Sequence, residues 1–219
     1  MQNSQGQNVQ ASTRRIHECG IVGIVRGNFS SAEVLAGAET LLAEKIDIIE
    51  VTLNSKAALD LIAMLRSRFD KKMLVGAGTV RNREQYIQAR KAGAEFTVAP
   101  NLDEATVRAA MEDDLLHLPG VLTPTEIQKA ADCGCRFVKL FPMDAMGPKY
   151  LSAIRAPLDD MQFLPTGGVS LENIQAYRNA GAAAVGIGGS LVRAQAYSGS
   201  ELAARAAAFR KAWDSAITV

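Results

Sequence analysis

Metal, redox and disulfide chemistry have little to draw on in this 219-residue chain, which holds three cysteines and two histidines. Cys19, Cys133 and Cys135 are an odd number, so they make no disulfide framework. Cys133-Gly134-Cys135 reads either as half of a metal or redox site or as two small, semi-buried thiols. Two histidines in the whole chain supply no convincing partner pair for the first reading, and no metal is expected. An excess of charge is also missing. Twenty-four Lys and Arg stand against 23 Asp and Glu, a net +1, so no long-range field gathers nucleic acid or an anionic membrane surface. The longest apolar stretch, around Ala182 to Val192, is broken by Gly186, Gly188 and Gly189. A membrane-spanning helix needs about 20 apolar residues, so neither nucleic acid nor membrane is expected as a partner. Residues 1–15 are rich in Gln, Asn and Ser and lack the apolar segment of a signal peptide. They read as a disordered polar leader on a cytoplasmic protein, with the folded domain over 16–219.

Apolar material is plentiful: 48% of residues are hydrophobic and 21% charged, enough to fill one large core. Short β-branched or apolar runs begin at Ile21, Ile46, Met73, Glu95, Leu115, Arg136, Met161 and Ala183, each 20 to 27 residues after the last. That interval holds one strand, one helix and two short loops. Between the runs lie Ala-, Glu-, Leu- and Lys-rich segments of helical periodicity, such as those from Ser31, Lys56, Arg83, Asp103 and Leu171, several ending in Ala-Gly. A closing amphipathic helix is expected from Ser200 to Val219, with Phe209 and Trp213 as packing residues. Alternating strands and helices imply parallel pairing with right-handed crossovers, and eight units are the number that closes a (β/α)₈ TIM barrel of the α/β class. An open doubly wound sheet is the competing arrangement. Against it, no G-x-G-x-x-G opens the first helix, and the informative residues sit at the ends of several strands.

Charges stand where a core is expected. In the run from Arg136, alternation puts Phe137, Lys139 and Phe141 on one face and Val138 and Leu140 on the other. Lys139 therefore points into a barrel or its mouth, where burial lowers the pKa toward a neutral, nucleophilic amine; otherwise it is a lysine snorkelling to solvent from a strand end. Glu50 shares a face with Ile46, Ile48 and Thr52. It reads either as a tuned general acid/base or as the structural counter-charge of Lys139. After the seventh run come Thr166-Gly167-Gly168, with Ser170 placed to cap a helix from Leu171, and after the eighth Gly188-Gly189-Ser190. Two glycine loops at those positions read as a phosphate site, or as ordinary tight turns. Arg26 after the first strand is suited to a bidentate carboxylate clamp or to the open surface, and Thr79 is a hydroxyl donor or a plain strand former. His117 reads as a satisfied interior histidine.

Taken in order, these residues resemble the class I pyruvate-dependent aldolases that cleave 2-keto-3-deoxy-6-phospho sugar acids. The matching motifs are Arg26-Gly27, Glu50 to Leu53, Gly76 to Val80, Lys139 to Pro142, Pro165 to Val169 and Gly188 to Ser190, spanning Ile21 to Val192. The resemblance implies Lys139 as the Schiff-base lysine and Glu50 as the acid/base. It implies Arg26, Thr79, Asn54, Pro100, Phe141 and Thr166 as substrate binders, and Gly167, Gly168, Gly188, Gly189 and Ser190 around the phosphate. It implies no metal, no cofactor, a phosphorylated keto sugar acid as partner and a homotrimer. Two departures matter: Asn54 stands where gluconate-type members usually carry arginine, and Met146 to Tyr150 (MGPKY) looks like the G-P-x-Y of the phosphogalactonate branch. The expected substrate is therefore 2-dehydro-3-deoxy-6-phosphogalactonate. The alternatives are the phosphogluconate epimer, 4-hydroxy-2-oxoglutarate, an isomerase using Glu50 as base, and a non-catalytic sugar-phosphate sensor.

Overall fold

A computed structural model describes residues 6–193 and 199–216. All eight apolar runs become strands: β1 (Ile21–Val25), β2 (Ile48–Thr52), β3 (Leu74–Gly78), β4 (Phe96–Val98), β5 (Leu116–Leu118), its short continuation β6 (Gly120–Val121), β7 (Phe137–Leu140), β8 (Gln162–Pro165) and β9 (Val185–Ile187). The helices are α1 (Gln7–Cys19), α2 (Ser31–Ala43), α3 (Ala58–Phe69), α4 (Arg83–Lys91), α5 (Glu104–Glu112), α6 (Pro124–Asp132), α7 (Gly147–Arg155), α8 (Ile174–Asn179) and α9 (Ser200–Asp214). Local chemistry sets many of their starts. Ser30 with Glu33, and Thr123 with Glu126, form capping boxes at α2 and α6, and Asn82 and Asp103 cap α4 and α5. The end of the expected closing helix, residues 217–219, lies outside the described residues.

Every strand pair is parallel, as the alternation of strand and helix requires. The ladder is divided into a curled six-stranded sheet, β5-β4-β3-β2-β1-β9, and a three-stranded sheet, β6-β7-β8. The division falls at Pro119, which has no N–H to continue a ladder; its carbonyl still accepts from Lys139 N–H at 3.0 Å. On the other side, β8 and β9 are joined by one bridge, Thr166 to Gly186, and by the Ala183 N–H to Phe163 carbonyl bond at 3.0 Å. The strands are buried on both faces and the helices pack outside them.

Residues 7–15 are not a disordered leader. They begin α1, which carries Ser12, Ile16 and Cys19 on one buried face and packs on β5, β1 and β2. The Asp114 carboxylate accepts from the N–H groups of Asn8 (3.1 Å) and Val9 (3.4 Å), satisfying donors that a helix start leaves open. Gly20, in the left-handed conformation, stops the helix. Only Ile16 of the buried face is strongly apolar, which hides the helix in a sequence read by hydrophobic period. Residues 1–5 of the expected leader lie outside the described residues.

Candidate active site

A cavity of about 390 Å³ opens at the carboxyl ends of the strands. Both charged residues reach it from different sheets: Glu50 lies in register with Ile24 of β1 and Gly76 of β3, and Lys139 with Gly120 of β6 and Leu164 of β8. Glu50 is 1% exposed and Lys139 7%. A Cβ on Gly78 would fall 1.7 Å from Glu50 Oε1, so only a glycine there lets the carboxyl lie across β3. Glu50 Oε2 is buried without a hydrogen-bond partner among the described residues. Lys139 Nζ stands 4.7 Å from the centroid of the Phe141 ring.

Burial pushes the Glu50 carboxyl up, against the positive charges of Lys139 and Arg26. Burial pushes the Lys139 amine down, against Glu50 and with the help of Arg26. Both shifts run toward the neutral forms, and a neutral amine is the form that adds to a ketone.

The cavity gathers every other residue singled out above as a substrate or phosphate group. Arg26, Asn54, Thr79, Pro100 and Phe141 line it together with Thr166, Gly167, Gly168, Gly188, Gly189 and Ser190. Thr79 has φ 59°, a left-handed conformation that costs a β-branched residue energy and turns the chain at the end of β3. Gly168 has φ 69°, and a Cβ there would lie 2.6 Å from Asp144 Cα, so the loop after β8 is pressed against the loop after β7. Ser190 Oγ donates to the Val169 carbonyl at 2.6 Å, tying the two glycine loops together. Around Gly189 a side chain would meet only open space.

Some assignments change. Ser170 does not start a helix at Leu171; a turn intervenes, and α8 begins at Ile174 with Asn173 before it. The Ser170 N–H instead donates to Asn173 Oδ1 at 2.8 Å, and the residue lines the cavity. Ile24, Thr52, Val169 and Gly186 also line it and were not proposed from the sequence. Thr52 was signalled, since alternation puts it on the Glu50 face; Gly186 was not, because its place against Thr166 Oγ1 depends on the β8–β9 bridge. His117 is not in the cavity. It is 6% exposed, its Nδ1 lies 2.8 Å from Thr97 Oγ1, and it lines a separate crevice of about 210 Å³. Cys133 and Cys135 are free thiols, and burial pushes Cys135 up to about 12.

Residues 13–206 match the model of the KDPG and KHG aldolase family. The chain belongs to that family. It is 34% identical over 198 residues to the 2-dehydro-3-deoxy-6-phosphogalactonate aldolase of Escherichia coli (strain K12), covering 90% of this chain and 96% of the relative. It is 37% identical over 141 residues to the 2-dehydro-3-deoxy-phosphogluconate aldolase of Dickeya dadantii (strain 3937), covering 64% and 66%. The solved structure described as native KDPGal superposes with a TM-score of 0.83 at 32% identity, covering 91% of this aldolase and 96% of that chain. Among the described residues of the aldolase no helix is long and apolar enough to cross a membrane.

Proposed function

We propose that this aldolase cleaves 2-dehydro-3-deoxy-6-phosphogalactonate to pyruvate and D-glyceraldehyde 3-phosphate through a Schiff base on Lys139. The observation that carries the reading is the burial of Lys139 and Glu50 in one cavity that also holds two glycine loops. The neutral Lys139 amine attacks the C2 ketone; the neutral Glu50 carboxyl gives its proton to the departing hydroxyl, and the loss of water leaves a protonated imine, which accepts the electron pair of the breaking C3–C4 bond. The Glu50 carboxylate so formed takes the proton of the C4 hydroxyl, directly or through one water, as glyceraldehyde 3-phosphate departs. The enamine is reprotonated at C3, and hydrolysis frees pyruvate and restores the amine. Arg26 and Thr79 hold the pyruvyl end. Asn54, Pro100, Phe141 and Thr166 border the chain of the sugar acid, and Gly167, Gly168, Gly188, Gly189 and Ser190 hold the phosphate. No metal or organic cofactor takes part.

Asn54 and the MGPKY segment support the galactonate epimer, and so does the longer of the two curated matches. In the same reading the two sheets act as one (β/α)₈ barrel, and the enzyme works in the cytoplasm as a homotrimer. Borohydride reduction in the presence of pyruvate tests the imine: a stable adduct on Lys139 is expected, and an unmodified Lys139 overturns the reading. Pyruvate release from the purified epimers tests the substrate. Faster cleavage of the galactonate compound is expected; equal rates, or preference for phosphogluconate or 4-hydroxy-2-oxoglutarate, overturn that choice.

A further inference from the structure

Ser55 takes no part in the steps above, yet its side chain is buried just beyond β2. Its Oγ accepts from the backbone N–H of Gly27 at 3.1 Å and lies 3.0 Å from Thr52 Oγ1. Thr52 Oγ1 is in turn 3.4 Å from the Val25 carbonyl. The neighbours of Arg26 on both sides, Val25 and Gly27, are thus fastened to one hydroxyl pair on the next strand. Ser55 is itself held in place, since its N–H donates to the Thr52 carbonyl at 2.8 Å.

Arg26 has no such anchor of its own. Its guanidinium forms no hydrogen bond or salt bridge with another described residue, although it faces the cavity and Gly188. Its position is therefore set by the backbone that carries it. Gly27, next in the chain, has φ 144°, a conformation that glycine adopts readily and other residues rarely do. Hydrogen counting gives the pair a direction. Thr52 Oγ1 donates its one proton to the Val25 carbonyl, so between the two hydroxyls it accepts, and Ser55 Oγ donates to it while accepting from the Gly27 N–H.

We propose that Ser55 is a positioning residue, which, by tying the Gly27 N–H to the end of β2, fixes the Arg26 guanidinium over the cavity for the substrate carboxylate. The inference rests on the reading of Arg26 as the carboxylate clamp. A clamp that wanders by an ångström loses bidentate geometry, so the loss falls on binding of the anionic end more than on the chemical step.

Steady-state kinetics of pyruvate release test this with Ser55→Ala, Ser55→Thr, Arg26→Ala and the Ser55→Ala/Arg26→Ala double variant. Ser55→Ala leaves a backbone donor unpaired and is expected to raise KM about tenfold while kcat falls less than about threefold. Ser55→Thr is expected to restore KM. On the Arg26→Ala background, removing the hydroxyl is expected to change KM by less than about twofold, because the group it positions is gone. Unchanged KM in Ser55→Ala, or effects that multiply in the double variant, overturn the proposal. If Ser55→Ala does not fold, Thr52→Val carries the test: KM is expected to rise with Arg26 present and not without it, and a rise in both overturns it. Borohydride trapping of pyruvate separates the two levels. An adduct in the wild-type protein with unchanged KM in Ser55→Ala sinks only the role of Ser55, whereas no adduct sinks the lyase reading on which it rests.

Discussion

At the carboxyl ends of the strands an acid and an amine are buried beside an open cavity of about 390 Å³, and Glu50 Oε2 has no hydrogen-bond partner among the described residues. At the amino ends α1 lies across β1, β2 and β5, Ile16 is fully buried, and an apolar crevice of about 210 Å³ holds the imidazole of His117. Left-handed non-glycine residues stand at both ends, Thr79 beside the cavity and Lys45 and Asp114 just before β2 and β5, but the end covered by α1 is closed by the helix and apolar contacts. The same strands therefore present a reactive acid and amine beside a cavity at one end and packing at the other, where His17 Nε2 and His117 Nε2 are buried without a hydrogen-bond partner among the described residues. That is the division between chemistry and stability that parallel strands feeding long βα-loops permit.

The largest change expected is at the reactive end. Lys139→Met removes the amine, and pyruvate release should fall by at least about 10⁴-fold, with loss of the borohydride adduct, as read by a coupled assay and mass spectrometry. Since Lys139 holds the Glu50 carboxyl down against burial, that carboxyl should move further up in the variant. Gly78→Ala sharpens the contrast without replacing a reacting group. The added methyl carbon would lie 1.7 Å from Glu50 Oε1, so the carboxyl must move, and kcat should drop about 10²-fold while the circular dichroism spectrum stays unchanged.

The amino end should answer in stability instead. Ile16→Ala removes a fully buried side chain under α1, and chemical denaturation should show a loss of about 3 kcal/mol with KM unchanged. A fall in KM or kcat without loss of stability would break the division between the two ends. His117 gives the smallest effect, one of pH. Burial lowers its pKa from 6.5 to about 4, so below pH 6.5 the unfolded chain takes up a proton that the folded chain refuses until about pH 4. Stability should therefore decline as pH falls across that window, and His117→Gln should flatten the slope.

Much of this was legible in the chain because it depends on period and on residue type. Runs of β-branched residues separated by helical segments dictate parallel strands in order, and alternation within a strand puts Lys139 and Glu50 on the face that becomes the interior. The α1 helix was not legible: its buried face is made of Ser12, Ile16 and Cys19, and what turns it from a polar stretch into a helix is Asp114, more than 90 residues away. The same holds for Ser170, whose place is taken over by a turn rather than a cap.

The sequence by itself determined the order of the elements and the chemical kind of each site group, since propensity, periodicity and side-chain chemistry are local properties. Only the tertiary structure decided that the Glu50 carboxyl lies where Gly78 has no Cβ, that Thr166 meets Gly186, and that Ser55 reaches Gly27. These are contacts between strands and loops distant in the chain, and close packing rather than any local preference fixes them.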